Sequence, residues 1–359
     1  MIPLYYGKKP SLLQGVTCFF TVHALQYYCE RGGRMRFATI GTSLIAEQFV
    51  AGARLSGVWE HAAVYSRKRE TGLAFCEKTG CTGAVYTSPD DLAQADIDAV
   101  YIASPNVCHY EQSKFFLERG KHVLCEKPIT VTAAQYRELR TLAAQNGLVY
   151  MEAIMSRHAN NRQTLHDAVA RLGRISTARL DFCQLSSRYA AYRRGEHPNI
   201  FNPALYGGAL MDLGIYCVWA AVDLFGKPDR ISATASFGEN GIDVAGSATF
   251  VYPTFSAVLT YAKNGQSRIG SEIVGDNGTV SMRLISMYAD ITEYAVGGES
   301  VFTPSADKVT VMSEEATRFA AYIQTPDTAD YAVLCDQTQT VLDCMDAMVQ
   351  AAGITYQGT

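Results

Sequence analysis

From residue 35 onward, short apolar runs alternate with amphipathic stretches, and the two periods together predict a chain of β-α-β units. Residues 37–40 form a short apolar strand, residues 41–46 a turn, and residues 47–54 continue with helical character. The pattern repeats with strands at 62–65, 98–103, 122–125 and 148–152, and with helices at 110–119 and 132–145 between them. Repeated alternation of this kind implies a parallel sheet covered by helices. The pattern then changes. Phe255, Ala257, Leu259 and Tyr261 alternate with Ser256, Val258 and Thr260, the period of a half-buried strand, and Ile273-Val274 turns through Gly275-Asp276-Asn277-Gly278 into Thr279-Val280 as a hairpin. Val341, Leu342, Met345, Met348 and Val349 have helix spacing, a core stripe expected to pack back on the first domain. The predicted fold is α/β, a Rossmann-type doubly wound parallel sheet over residues 35–155, plus a C-terminal α+β domain with a large, mostly antiparallel sheet over residues 156–359.

Composition narrows the class. At 359 residues, 48% hydrophobic and 18% charged, the chain can fold two domains, and a net charge of −4 with scattered Lys and Arg argues against nucleic acid and membrane surfaces as partners. Ten cysteines without a C-x-x-C pair or zinc spacing predict reduced thiols, no disulfide, no metal and a cytoplasmic setting. Residues 1–34 break the pattern. Arg31-Gly32-Gly33 before Met35 matches what a purine-rich ribosome-binding run encodes, so Met35 is expected as the start and 1–34 as leader.

Candidate chemistry sits at strand ends. Glu126-Lys127-Pro128 follows an apolar run, where a doubly wound sheet presents its ligand crevice, and the proline biases Lys127 toward extended backbone. The turn Gly41-Thr42-Ser43-Leu44-Ile45-Ala46 resembles a dinucleotide fingerprint in which Ser43 replaces the second glycine and Ala46 the third. Gly41, Thr42, Ser43, Ile45 and Ala46 are therefore expected to hold a pyrophosphate. After the second strand come Ser66, Arg67 and Lys68, and no acid occurs from His61 to Arg69 to take a ribose hydroxyl. These side chains suit a 2′-phosphate, so NADP is expected over NAD. Ser104, Pro105, Asn106 and His109 end the next strand, and they join Glu126 and Lys127 as expected cofactor contacts. Asp212 and Tyr216, four apart after Gly207-Gly208, share a helix face and can point into one crevice.

The three motifs together resemble the Gfo/Idh/MocA oxidoreductase family over residues 36 to about 355, nearest its members with tyrosine at the end of the second motif, such as dimeric dihydrodiol dehydrogenase and glucose-fructose oxidoreductase. The resemblance implies reversible hydride transfer between NADP and a carbinol of a sugar, polyol or cyclic diol, with Lys127 and Tyr216 flanking the reacting oxygen and Asp212 beside them. It also implies a homodimer or homotetramer through the C-terminal sheet. Either Lys127 or Tyr216 can carry the proton, and Asp212 can bind a substrate hydroxyl or orient Lys127. Glu152 and Arg157 are expected to meet the substrate, with His158, Arg188, Tyr189, Tyr192, Arg193 and Asn202 near the crevice. A different class, an NADP-binding sensor without turnover, fits the same motifs less well because Lys127, Asp212 and Tyr216 all occur.

Overall fold

The computed structural model describes residues 34–356, so the leader reading of 1–34 falls outside it except at Arg34. Six strands, β1 (Met35–Ile40), β2 (Trp59–Tyr65), β3 (Ala84–Tyr86), β4 (Ala99–Ile102), β5 (His122–Glu126) and β6 (Tyr150–Ala153), form one parallel sheet in the order β3-β2-β1-β4-β5-β6. The order reverses between β1 and β4, and the crevice at their carboxyl ends is where such sheets take ligands. Helices lie on both faces because each strand is apolar on both sides. Thus β4 is buried along its whole length.

Eight further strands make the second sheet: β7 (Ile175–Cys183), β8 (Arg230–Phe237), β9 (Asp243–Val251), β10 (Ser256–Ala262), β11 (Ser271–Gly275), β12 (Gly278–Leu284), β13 (Ala289–Ala295) and β14 (Ser300–Thr303). Their order is β14-β13-β12-β11-β7-β10-β9-β8, and only the β7–β10 pair is parallel. Ala257, Leu259 and Tyr261 of β10 point into the core while Val258 is exposed, as the alternation predicts. The hairpin turns at Asp276-Asn277, with Gly275 opposite Gly278.

Helix Pro203–Phe225, by composition apolar enough to cross a membrane, is buried in the protein. Two last helices, Lys308–Gln324 and Ala329–Ala352, return to the first sheet. Trp59 Nε1 donates to Ala316 O at 2.8 Å and its ring stacks on Phe319, while Tyr136 OH donates to Cys335 O. Gly52 permits a close approach, since a Cβ there would come within 2.7 Å of Met312 Cβ.

Candidate active site

Gly41 follows β1 with φ +106°, and a Cβ on it would lie 2.8 Å from Ala103 O, just past β4. Only glycine fits that turn. Ser43 then caps helix Leu44–Ser56, its Oγ accepting from Ala46 N at 3.5 Å. This cap starts the helix three residues earlier than the apolar spacing predicts, and it aims the helix N-terminus at the crevice. Ser43 and Ile45 wall a cleft of about 700 Å³ that runs past Ser104, Pro105, Asn106 and His109 to Glu126, Lys127, Asp212 and Tyr216. Gly41, Thr42 and Ala46 shape the turn behind that wall. The cradle fits a dinucleotide phosphate: a glycine with no room for Cβ, a capped helix start and an elongated cleft. Ser66, Arg67 and Lys68 follow β2 beside the turn, where Gly41 N donates to Tyr65 O. Ser66 Oγ accepts from Lys68 N, and neither Arg67 nor Lys68 is in an ion pair among the described residues.

His109 joins the loops after β4 and β5. Its Nδ1 lies 2.8 Å from Pro128 O and its Nε2 2.9 Å from Ser104 O, and burial lowers its pKa. A neutral ring donates to one carbonyl only, so this strap has one strong bond and one contact. The Lys127-Pro128 peptide is cis.

Lys127 Nζ donates to Asp212 O at 2.8 Å and Asp212 Oδ1 at 2.9 Å, and lies 5.1 Å from the Tyr216 ring centre. Burial works against its charge, but Asp212, Tyr216 and Glu126 outweigh it and raise its pKa. Burial alone would raise Asp212, yet Lys127 and Lys263 hold it well below the usual carboxylate range. Burial pushes Tyr216 up, further than Lys127 pulls it down. Tyr216 therefore stays a neutral donor, and Lys127 is the cation. Asp212 lies in a π-helical turn, Leu210–Gly214, rather than the plain helix its spacing to Tyr216 predicts, but both line the cleft.

Two expected substrate residues are elsewhere. Glu152 is 1% exposed and accepts from Ile129 N at 2.9 Å and Trp219 Nε1 at 2.7 Å, so it props the loop after Lys127 from behind. Burial raises its pKa to about 7. Arg157 is also buried, bonded to Asp330 and Gln337 at 2.9 Å each, because the last helix covers the position. His158 is buried beside it. Tyr189 and Tyr192 pack on Phe201, Asn202 Oδ1 accepts from Ala204 N, and Arg188 and Arg193 are exposed; none of these lines the cleft.

Three residues were not found from the sequence. Lys263, just after β10, donates to Asp212 Oδ2 at 2.7 Å; Lys308 lines the cleft near Glu126; and Asp243 accepts from Leu210 N at 2.7 Å. Asp243 faces Gly208, φ +108°, where a Cβ would fall on its Oδ1.

The chain matches the oxidoreductase family, NAD-binding Rossmann fold, over residues 35–154 and the GFO/IDH/MocA C-terminal domain over residues 163–281. It is 34% identical to scyllo-inositol 2-dehydrogenase (NADP(+)) IolU of Bacillus subtilis over 325 residues, 90% of this chain and 98% of that protein. To trans-1,2-dihydrobenzene-1,2-diol dehydrogenase of Homo sapiens it is 27% identical over 342 residues, again 90% and 98% of the two. The fold is shared with KijD10, a 3-ketoreductase from Actinomadura kijaniata solved with NADP and TDP-benzene, at a TM-score of 0.79 and 23% identity over 89% of this chain and 98% of that one. The chain belongs to the Gfo/Idh/MocA oxidoreductase family.

Proposed function

Proceeding from that membership, we propose that this chain is an NADP-dependent oxidoreductase that interconverts a carbinol of a sugar, polyol or cyclic diol with its carbonyl. When bound, the nicotinamide supplies the hydride acceptor or donor. The observation that carries the reading is Lys127, a partly buried ammonium whose two bonds to Asp212 leave one N–H without an acceptor among the described residues, on the wall of the cleft that starts at Ser43. That N–H is free for the reacting oxygen. In reduction Lys127 Nζ gives its proton to the oxygen as the C=O bond becomes C–O–H, and in oxidation a neutral Lys127 takes it back. Because its surroundings favour the ammonium, reduction finds the residue ready and oxidation needs the rarer neutral form. Tyr216, held neutral, donates a hydrogen bond to the same oxygen.

Arg67 and Lys68, exposed beside the turn and without ion-pair partners among the described residues, support the phosphate-bearing cofactor. A second copy is proposed to cover the open face of the second sheet, where Val258, Tyr294 and Phe302 are exposed, and light scattering of the purified chain reads that assembly. The central experiment is titration with NADPH and NADH, followed by a polyol and carbonyl panel at several pH values. Oxidation should rise with pH across the neutral range while reduction stays flat, and Lys127→Met should lower both by about 10²-fold or more. Tight NADPH binding with no turnover of any panel member would replace the enzyme by a sensor.

A further inference from the structure

Lys308 is a half-buried cation on the cleft wall whose ammonium makes no hydrogen bond or ion pair among the described residues. It opens helix Lys308–Gln324, at the end where the helix dipole disfavours positive charge. The acids around it are engaged elsewhere. Asp307 caps the helix, its Oδ1 accepting from Val309 N at 2.9 Å and Thr310 N at 3.1 Å and its Oδ2 from Thr310 Oγ1 at 2.6 Å. Glu126 accepts from Tyr101 OH at 2.5 Å and from Lys127 N at 3.3 Å. Burial pushes the Glu315 carboxyl well up, which favours its neutral form. Burial likewise lowers the pKa of Lys308, and Glu126 restores only part of it. Helix packing fixes where this unmatched charge stands. Helix Lys308–Gln324 lies along helix Leu44–Ser56, with Met312 against Gly52. Further on, Ala316 and Phe319 meet Trp59, just past the end of the earlier helix, so the two run in the same direction. Lys308, one turn before Met312, therefore stands beside the first turn of helix Leu44–Ser56, and Ile45 of that turn shares the cleft wall with it.

We propose that Lys308 binds the pyrophosphate of the nicotinamide cofactor, so that the terminal helix, and not only the turn at Gly41, holds it. This rests on the oxidoreductase reading above and adds a residue to its cofactor site. The turn and the helix start capped by Ser43 offer a phosphate only neutral amides and a dipole end, and Arg67 and Lys68 stand after β2, where a ribose phosphate is expected. Lys308 supplies the full positive charge that the first turn lacks, and the anion supplies the counter-ion that Lys308 lacks. Because the pyrophosphate is common to both dinucleotides, Lys308 serves NADPH and NADH alike.

The test is fluorescence titration of the full chain with NADPH and with NADH, and their displacement by ADP-ribose, which has the pyrophosphate without the nicotinamide. Lys308→Met keeps the stem and removes the charge. It should raise Kd for all three ligands by about tenfold, the low end for a charged hydrogen bond because the residue is only half-buried. The difference from wild type should shrink as salt is added, and Lys308→Arg should restore most of the affinity. An unchanged Kd in Lys308→Met would overturn the proposal, whatever happens to turnover. So would a loss that spares ADP-ribose, which puts the lysine at the nicotinamide end, or a loss confined to NADPH, which puts it at the 2′-phosphate. A wild-type chain that binds neither dinucleotide would instead remove the functional reading beneath it. If Lys308→Met does not fold, Lys308→Gln carries the same comparison with the same deciding outcomes.

Discussion

Gly208→Ala tests how the second motif is held in place. Gly208 has φ +108°, outside the range that L side chains adopt readily, and its Cβ would displace Asp243, whose Oδ2 accepts from Leu210 N at 2.7 Å. The backbone strain costs about 1–2 kcal/mol. Loss of a bond to a buried carboxylate adds about 1.5–3 kcal/mol, so the substitution should destabilise the chain by about 2.5–5 kcal/mol. Urea unfolding measures this, and turnover should fall too, because Leu210 opens the turn that carries Asp212. The decisive comparison is with Asp243→Ala. In that background the obstruction is gone and Gly208→Ala should cost only the backbone strain, a coupling on the order of 2 kcal/mol. An equal cost in both backgrounds would refute the account.

Two further outcomes follow from the same geometry. Arg67→Ala should raise KM for NADP by about tenfold or more while barely moving KM for NAD, and equal changes in steady-state kinetics would count against a 2′-phosphate contact. Glu152 keeps a proton more tightly when folded, its pKa near 7 against an ordinary 4.5, so its contribution to stability is present at low pH and lost as pH rises from about 4.5 to 7. For so buried a group the loss is on the order of 3 kcal/mol. Glu152→Gln should therefore gain on the wild type across that window in denaturant titrations, and parallel pH profiles would contradict it.

The parts of the site that the sequence made legible are those whose chemistry is local. Gly41, Lys127 and Asp212 each sit at the end of a strand or just after a glycine pair, where the backbone itself prepares a ligand position. Glu152 misled because it also ends a strand, and only the Trp219 indole packed against it shows that it faces inward. Arg157 misled because helix Ala329–Ala352, far along the chain, covers it. Lys263 lies 51 residues beyond Asp212, after an ordinary alternating strand, and its partner is set by how β10 stacks under the π-helical turn. Pairings across such distances leave no spacing to read. Five of the six strands of the first sheet, and β10 with the β11–β12 hairpin in the second, follow by contrast from periods of a few residues, while short β3 and the remaining strands of the second sheet carry no period clear enough to read.

The last two helices have a consequence for anyone who would recombine this protein. Trp59, Tyr136 and Gly52 belong to the nucleotide-binding half, yet each meets a residue supplied more than 190 positions later. A hybrid that took residues 34–154 from one relative and the remainder from another would join two surfaces that never adapted to each other, and the nucleotide-binding half expressed by itself would bare the apolar seam around Trp59. The workable crossover carries three pieces rather than two: the first sheet and the terminal helices travel together, and the eight-stranded sheet between them is the exchangeable part.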